Sequence, residues 1–322
     1  MKHLHPWSVF EDPSEFPGHG PLSDRIAAFG LDGLEMFTMA EPIPEKFRLP
    51  EVTAVHLPYA IDWRCAWEGR LYEGMPEDLT YFSFGRDRAE MVDTVHRMID
   101  YAAVLNPAYG VIHAGNSDMR QVLKKRQDSD DLMIIGEFCE LMNRAVADFP
   151  GGEPPYTVVF ENLWWEGLRL LDPAEWRMLE DKLEFDNWGL LLDTGHLMNA
   201  LDCAYDEESA IDGVIGVVSR YPSDMIDRIK AMHLQLSTTA AFREKIVDDC
   251  RHEGESWNDY SARAYHRAHD IDEHRPFSSM SVHKIIDIVK PDYINHELMG
   301  GRSGDRYGDL RQQMSLFGGG RD

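Results

Sequence analysis

The chain has 322 residues, of which 43% are hydrophobic, and this is enough to bury one large core. No apolar run approaches the roughly 20 residues of a membrane helix, and the start, MKHLHPWSVFEDP, lacks the apolar stretch of a secretory signal. The 57 acidic and 32 basic residues give a net charge of −25. This charge argues against a nucleic-acid partner, because such binding rests on basic residues that neutralise phosphates. We therefore expect a cytoplasmic protein with no membrane partner.

Short apolar segments alternate with amphipathic helical patterns along the sequence. A poor first strand, LHPWSVF, precedes predicted strands at 31–37, 52–59, 109–115, 156–163, 188–196, 229–237 and 292–300. The spacing of apolar residues predicts helices over 86–105, 132–146, 173–183 and 282–289. Buried strands that are each followed by a helix are typical of a parallel sheet. Eight such units predict an α/β fold of the (β/α)8 TIM barrel type, with residues 1–322 as a single domain.

Two segments are too long to be plain connections. Residues 60–85 and 238–278 both follow the carboxyl ends of predicted strands, where barrel enzymes build their sites. We interpret them as insertions that cover the substrate. No GxGxxG or GxxxxGK[ST] motif follows a strand, which excludes the two common nucleotide-binding motifs. The four cysteines form no CxxC pair and are expected to be reduced thiols: Cys65, Cys139, Cys203 and Cys250.

Ionisable side chains lie at or just past the ends of six successive predicted strands. They are His56, His113, Glu161, Asp193 with His196, His233 and Glu297. An ionised carboxylate next to an apolar run is costly unless it is paired or bound to a metal. In a closed barrel these strand ends converge on one mouth, where several carboxylates would repel one another and raise each other's pKa. A shared divalent cation would remove that repulsion, and the pattern therefore predicts a metal site.

Six motifs carry a resemblance to the xylose isomerase-like TIM-barrel superfamily, which includes endonuclease IV-type AP endonucleases (family 2) and sugar isomerases and epimerases. The motifs are HLPY at 56–59, IHAG at 112–115, FENL at 160–163, LLLDTGH at 190–196, KAMHL at 230–234 and INHELMG at 294–300. The resemblance runs from about residue 31 to residue 301. The ordered set is specific for the superfamily and leaves the substrate open.

The resemblance implies two alternative metal centres. Isomerases and epimerases hold one divalent ion through four ligands, which here would be Glu161, Asp193, His233 and Glu297. Endonuclease IV-like members bind three zinc ions. The resemblance then implies one ion on His56 and His113, a second on Asp193, His233 and Glu297, a third on His196, Asp272 and His274, and Glu161 bridging the first two. The gap from His233 to Asp272 is longer than expected for that branch, and neighbouring residues compete for the third site: His266, His269 and Asp270.

The first functional hypothesis is a metal-dependent phosphoester hydrolase of the endonuclease IV-like type with two or three Zn²⁺ ions. It would act on a small or bulky metabolite, a cobamide-like cofactor among them, rather than on DNA. Zinc would lower the pKa of water for in-line attack on phosphorus, and Glu161 and Glu297 would be the catalytic residues that position this water. Tyr59 matches an aromatic residue near the DNA-penetrating loop of the repair enzymes.

The second hypothesis is a sugar or polyol isomerase or epimerase with one Mn²⁺ or Mg²⁺ ion. Glu161 and Glu297 would then act as acid and base beside a carbonyl that the metal polarises. We predict Tyr59, Trp63 and Trp164 as substrate-binding residues, with packing in the core or loops as the alternative for the tryptophans. A third hypothesis is a metal-containing binding protein without turnover. The sequence leaves the substrate, the metal and a homo-oligomer open.

Overall fold

A computed structural model of the chain describes residues 1–128, 130–300 and 303–318. Within them, parallel strands close into a barrel in the order of the sequence. The strands are β1 Lys2–Ser8, β2 Gly33–Phe37, β3 Val52–His56, β4 Tyr109–His113, β5 Thr157–Glu161, β6 Trp188–Asp193, β7 Ile229–His233 and β8 Tyr293–Asn295. The fold is a (β/α)8 TIM barrel, and this confirms the prediction from the alternating pattern.

Helices surround the barrel and also occur in the longer loops. They are α1 Leu22–Ala28, α2 Arg64–Trp67, α3 Thr80–Ser83, α4 Arg88–Ala102, α5 Asp131–Val146, α6 Pro173–Lys182, α7 Thr194–Leu201, α8 Glu207–Val218, α9 Ser223–Arg228, α10 Ala240–Arg243, α11 Trp257–Ile271, α12 His283–Val289 and α13 Arg306–Ser315. Aspartates begin several of these helices, because a carboxylate accepts hydrogen bonds from the free amides of the first turn. Asp172 caps α6 and Asp206 caps α8 in this way.

The core has two layers, because successive side chains of a strand point to opposite faces. Seven buried residues fill the inside of the barrel: Leu4, Ala54, Tyr109, Val111, Val159, Leu191 and Ala231. A larger apolar layer joins the outside of the barrel to the helices. The strands are therefore buried on both faces, which explains their nearly continuous apolar sequences. Among the described residues no helix combines the length and the apolar character needed to cross a membrane.

The strands end earlier than the sequence pattern predicts. The predicted strand 188–196 ends at Asp193, whose carboxylate accepts a hydrogen bond from the amide of His196 and begins α7. The eighth strand was predicted over 292–300, but only Tyr293–Asn295 pairs with its neighbours. The correction moves His196 into the first turn of a helix and Glu297 into the loop that follows β8.

The two long insertions contact each other on the carboxyl side of the barrel. Trp257 of the second insertion stacks on Tyr72 of the first, with ring centroids 5.3 Å apart, and meets the edge of Phe82 at 5.2 Å. Met119 and Leu123, from the loop after β4, complete this buried apolar cluster. The insertions therefore form a packed layer with its own core above one side of the barrel.

Candidate metal centre

The predicted ligands converge at the carboxyl ends of the strands. The last residue of each of five strands is one of them: His56, His113, Glu161, Asp193 and His233. Glu297 follows β8 by two residues, and all six side chains are buried. The barrel thus brings together ionisable groups that are separated by up to 241 residues in sequence (56 to 297).

The first group consists of His56, His113 and Glu161. Nε2 of His56 lies 3.3 Å from Oε2 of Glu161, and Nε2 of His113 lies 3.2 Å from the same oxygen. One ligand atom from each residue fits within a cluster no wider than 4.8 Å. Two ligands of a tetrahedral zinc ion lie about 3.4 Å apart, from bond lengths of about 2.1 Å. The spacing of this group therefore suits a shared ion.

The second group consists of Glu161, Asp193, His233 and Glu297. Nδ1 of His233 lies 3.1 Å from Oε2 of Glu297, 3.2 Å from Oε1 of Glu161 and 3.8 Å from Oδ2 of Asp193. Their ligand atoms also fit within 4.8 Å of one another. Glu161 belongs to both groups through its two oxygens, as the resemblance implies for a bridging ligand.

The third group consists of His196, Asp272 and His274. Oδ2 of Asp272 lies 3.1 Å from Nε2 of His196 and 2.9 Å from Nε2 of His274. Nδ1 of His196 is 3.2 Å from Oε1 of Glu161, so this group adjoins the other two. The competing residues His266, His269 and Asp270 lie instead on α11, outside this group.

The long gap between His233 and Asp272 is closed at its base by hydrogen bonds. Leu236 and Arg275 form an isolated antiparallel bridge, with N–O distances of 2.8 and 3.1 Å in the two directions. The hydroxyl group of Ser237 accepts from the amide of Glu273 at 2.9 Å. Asp272 and His274 are therefore held beside β7 whatever the length of the intervening segment.

Hydrogen bonds to the backbone orient three of the histidines. Nδ1 of His56 donates to the carbonyl group of Leu57 at 2.8 Å. Nδ1 of His196 donates to the carbonyl of Asn162 at 2.9 Å, and Nδ1 of His274 to that of Glu297 at 3.0 Å. Because a carbonyl only accepts, each ring keeps its proton on Nδ1 and turns the lone pair of Nε2 toward the cluster. Such partners fix the tautomer of metal-binding histidines.

His233 is oriented the opposite way by Glu35, a residue that sequence reasoning missed. Nε2 of His233 donates to Oε1 of Glu35 at 2.9 Å, which leaves Nδ1 facing the second group. Glu35 lies in β2, is 0% exposed, and also accepts from Asn295 Nδ2 at 2.8 Å and from Tyr109 Oη at 2.6 Å. An acidic residue inside the apolar strand GLEMF was the signal that could have revealed it.

Gln235 links the second and third groups. Its Nε2 atom donates to Oδ1 of Asp193 at 3.2 Å and to Oδ1 of Asp272 at 3.0 Å. Gly195 makes room for this amide, because a Cβ atom at Gly195 would lie 2.2 Å from it. The hydroxyl group of Thr194 donates to the carbonyl of Gln235 at 2.7 Å. The DTGH motif is therefore explained as two ionisable groups and two residues that seat Gln235.

The buried charges of the cluster perturb one another strongly. Burial, together with the negative charges of Glu297 and Glu161, raises the pKa of Asp193 to about 8 against the opposing effect of His196. Burial alone would lower the pKa of His274, but the adjacent Asp272 carboxylate raises it to about 10. For Glu161 burial is likewise outweighed, and the surrounding histidines hold its pKa well below the usual range. Without metal, the cluster must hold extra protons.

Several buried atoms of the cluster have no hydrogen-bond partner, and this supports a bound cation. They are both carboxylate oxygens of Glu161, Oε2 of Glu297 and Nδ1 of His233. A buried polar atom without a partner costs about 1–3 kcal/mol, so such atoms are rare unless they have a ligand. The mixture of imidazole and carboxylate donors fits a divalent metal ion.

Two aromatic side chains border the centre, and one of them, Tyr59, belongs to the predicted substrate-binding set. Tyr59 stacks on His113 with ring centroids 4.4 Å apart, and Trp165 lies 6.3 Å from His113. Trp63 is 1% exposed and packs in the core, where its indole nitrogen donates to the carbonyl of Gly115 at 2.9 Å. We therefore leave Trp63 out of the substrate-binding set, because its buried ring packs among apolar side chains of the core.

Trp164 packs on Trp165, on the side away from the candidate ligands. The two rings are 5.0 Å apart, and the guanidinium group of Arg243 lies 5.9 Å from the Trp164 ring. Trp164 therefore remains a predicted substrate contact at the outer rim. Trp165, which the predicted substrate-binding set does not include, is nearer to the candidate ligands. Only the conformation of the loop after β5 distinguishes Trp164 from Trp165.

Comparison with known proteins identifies the fold family. A family model described as xylose isomerase-like TIM barrel matches residues 24–279. Similar solved structures are endonuclease IV from Thermus thermophilus (15% identity, 99% of this chain and 100% of that chain, TM-score 0.51), 3-keto-D-glucoside 4-epimerase from E. coli (14%, 99% and 99%, 0.51) and D-allulose 3-epimerase from Methylomonas sp. (12%, 99% and 97%, 0.52). No curated protein matches the chain. At these identities the structures share a fold and leave the activity open.

Proposed function

We propose that this chain, which belongs to the xylose isomerase-like TIM barrel family, hydrolyses a phosphoester at a centre of two or three zinc ions. One observation carries the proposal: the carboxylate of Asp272 lies between His196 and His274, beside two groups that share Glu161. A single-ion isomerase requires only the ligands of the second group. A hydrolase of the endonuclease IV type has a use for all three.

We propose one of the three groups as the ligands of each ion. The first ion would be held by His56, His113 and Glu161, the second by the group around His233, and the third by the group around Asp272. Divalent ions at these positions would lower the pKa of the attacking water and neutralise the phosphate charge. Glu161 joins the first two groups and fixes the distance between them.

The residues of the chain would orient the reacting water and the metal-binding nitrogens. Oε2 of Glu297 has no hydrogen-bond partner and faces the second group, so it can accept a hydrogen bond from the water that attacks phosphorus. As the new bond to phosphorus forms, the bond to the leaving oxygen breaks and that oxygen takes up a proton. The histidine tautomers are fixed by their backbone partners, so the ligand nitrogens need no rearrangement.

The substrate we propose is a metabolite rather than DNA. The net charge of −25 disfavours a polyanion, because phosphate contacts depend on basic residues. The second insertion also packs against the first above the carboxyl ends of the strands. A rigid duplex would have to displace this layer, whereas a small molecule would not.

Metal analysis combined with phosphodiester turnover tests the proposal. Protein purified without chelator should contain two or three zinc ions per chain and hydrolyse bis(p-nitrophenyl) phosphate. Asp272→Asn and His274→Gln should each lower the zinc content by one and reduce kcat at least a hundredfold. His266→Gln, at a histidine of the neighbouring helix α11, is the matched control and should change neither value. One ion per chain, unaffected by the variants at 272 and 274, would refute the proposal.

A sugar or polyol isomerase or epimerase with one Mn²⁺ or Mg²⁺ ion is the second candidate. It is favoured by the compact second group, whose four ligand atoms lie within 4.8 Å of one another without help from the other groups. Glu161 and Glu297 would then face each other across the substrate carbonyl as acid and base. Interconversion of ketoses by the protein, retained in Asp272→Asn, would favour this candidate over the hydrolase.

A further inference from the structure

The second insertion leaves β7 and runs outward along the rim of the barrel. We call residues 240–271 the strap. Its amide at Ala240 donates to the carbonyl of Ala204, after α7, at 3.2 Å. Farther along, the amide of Lys125, in the loop after β4, donates to Asp248 at 2.8 Å. Arg251 then donates to the carbonyl of Glu73, in the first insertion, at 3.1 Å. The outward half therefore follows the rim from β7 past β6 and β4 to β3.

The strap returns as α11, which ends at the third metal group. Near its start, the hydroxyl group of Tyr260 donates to the carbonyl of Met119, after β4. Arg267 donates to the carbonyl of Leu123 at 2.8 Å. The helix has 15 residues and is about 22 Å long, at 1.5 Å per residue. It runs from the β3 and β4 side to Asp272 beside β7, so the strap covers that half of the mouth.

The other half of the mouth is formed by the loops after β8, β1 and β2, which the strap does not contact through any hydrogen bond among the described residues. Large apolar side chains are exposed on this side and at its border. Phe10 follows β1 and is 72% exposed, Met299 follows β8 and is 46% exposed, and Tyr59 follows β3 and is 39% exposed. Small-molecule sites are lined mainly by apolar and aromatic side chains, so these residues are suited to contact a substrate at the mouth.

These three residues follow strands whose carboxyl ends carry the metal centre or adjoin it. Tyr59 stacks on the ring of His113, Met299 is two residues beyond Glu297, and Phe10 is two residues beyond the end of β1. We propose that the uncovered side, with Phe10 and Met299, binds an apolar part of the substrate next to the phosphorus, together with Tyr59 at its border. The inference rests on the proposed function, and it names the substrate class as a phosphoester with an apolar, non-reacting ester group.

Two phosphodiesters with the same leaving group test the inference. The probes are phenyl p-nitrophenyl phosphate and methyl p-nitrophenyl phosphate, assayed with zinc-replete protein. We expect a KM about tenfold lower for the phenyl ester, since a buried ring removes apolar surface from water. Phe10→Ser and Met299→Ser should each raise the phenyl KM about fivefold and the methyl KM by much less, without changing the zinc content. Val247→Ser, at an exposed apolar residue of the strap, is the matched control.

The outcomes separate this inference from the proposed function. Equal KM values for the two esters in the unmodified protein would overturn the inference, as would variants that weaken both esters alike. Hydrolysis of neither ester by zinc-loaded protein would refute the proposed function. Calorimetric binding of phenylphosphonate and methylphosphonate then still tests the inference, because tighter phenylphosphonate binding that Met299→Ser abolishes needs no turnover. Met299→Leu should restore that binding and guards against a folding defect.

Discussion

Replacing Glu35 with glutamine should weaken metal binding at the second group while leaving the barrel folded. The carboxylate accepts from His233 and Asn295 through one oxygen and from Tyr109 through the other. In Glu35→Gln the amide oxygen can keep the first two bonds, and the hydroxyl group of Tyr109 can rotate to accept from the new NH₂ group. The change therefore removes the charge and little else.

The magnitude follows from the bonds that lose their charged acceptor. Hydrogen bonds to charged groups contribute about 1.5–3 kcal/mol and neutral ones about 0.5–1.5 kcal/mol, so each weakened bond loses about 1 kcal/mol. His233 then becomes a poorer ligand because its Nε2 proton is held less strongly. Loss of such a partner lowers metal affinity roughly 10- to 100-fold, or about 1.4–2.7 kcal/mol. We expect this loss at the ion bound by His233 only.

Competition with a chromophoric chelator measures the affinity of each ion, and urea unfolding of the metal-free protein measures stability. Glu175→Gln is the matched control, since Glu175 is also buried but accepts from the backbone amides of Arg169, Leu170 and Asp172 at the start of α6. It should leave metal affinity unchanged. Affinity within twofold of the unmodified protein in Glu35→Gln, or an equal loss in Glu175→Gln, would refute the role of Glu35.

Three further predictions concern Gly195, Glu166 and His113. Gly195→Ala should destabilise the protein by about 1–3 kcal/mol and release the ion of the third group, because the methyl group displaces Gln235. Gly216→Ala is the control: Gly216 faces open space on α8, so this change should stabilise the protein by about 0.5–1 kcal/mol. Equal effects of the two changes in urea unfolding would contradict the role of Gly195. Burial raises the pKa of Glu166 to about 7, so its contribution to stability is greatest below pH 4.5 and is lost as the pH rises to 7. The free energy of unfolding of Glu166→Gln should equal that of the unmodified protein at pH 4 and exceed it by up to about 3 kcal/mol at pH 8. A difference in unfolding free energy that does not depend on pH would count against this prediction. His113→Ala should abolish hydrolysis of bis(p-nitrophenyl) phosphate, and retained activity with full zinc occupancy would argue against the hydrolase.

The sequence predicts the barrel and most of the candidate site because both depend on strand ends. Five of the strands carry an ionisable residue of the candidate site at their last position, so the alternation of apolar runs and charges locates the candidate ligands without knowledge of the tertiary structure. The predicted strands are longer than the observed ones where apolar residues continue past the last residue that pairs in the sheet. In HLPY the chain leaves β3 at His56, because Pro58 cannot donate to a neighbouring strand.

The parts that escaped prediction depend on loops and on contacts between distant segments. Nothing in the sequence distinguishes Trp63, which packs in the core, from Trp165, which reaches the centre, because loop conformation decides the direction of each ring. The position of Asp272 and His274 beside the candidate centre, with His269 outside it, depends on the bridge at Leu236, which joins residues that are 39 positions apart (236 to 275). Such pairing has no local signature.

The bridge between Leu236 and Arg275 holds Asp272 and His274 beside β7 independently of the strap that covers the mouth. Closing a flexible loop costs only about 0.6 kcal/mol more for each doubling of its length, so residues can be added between these anchors at little cost in chain entropy where the packing of Trp257 and Tyr260 is kept. Asp272 and His274 would stay in place throughout such changes. Related chains could therefore acquire new substrates by exchanging this one segment, and a transplanted segment joined at the same two anchors offers a direct route to altered specificity.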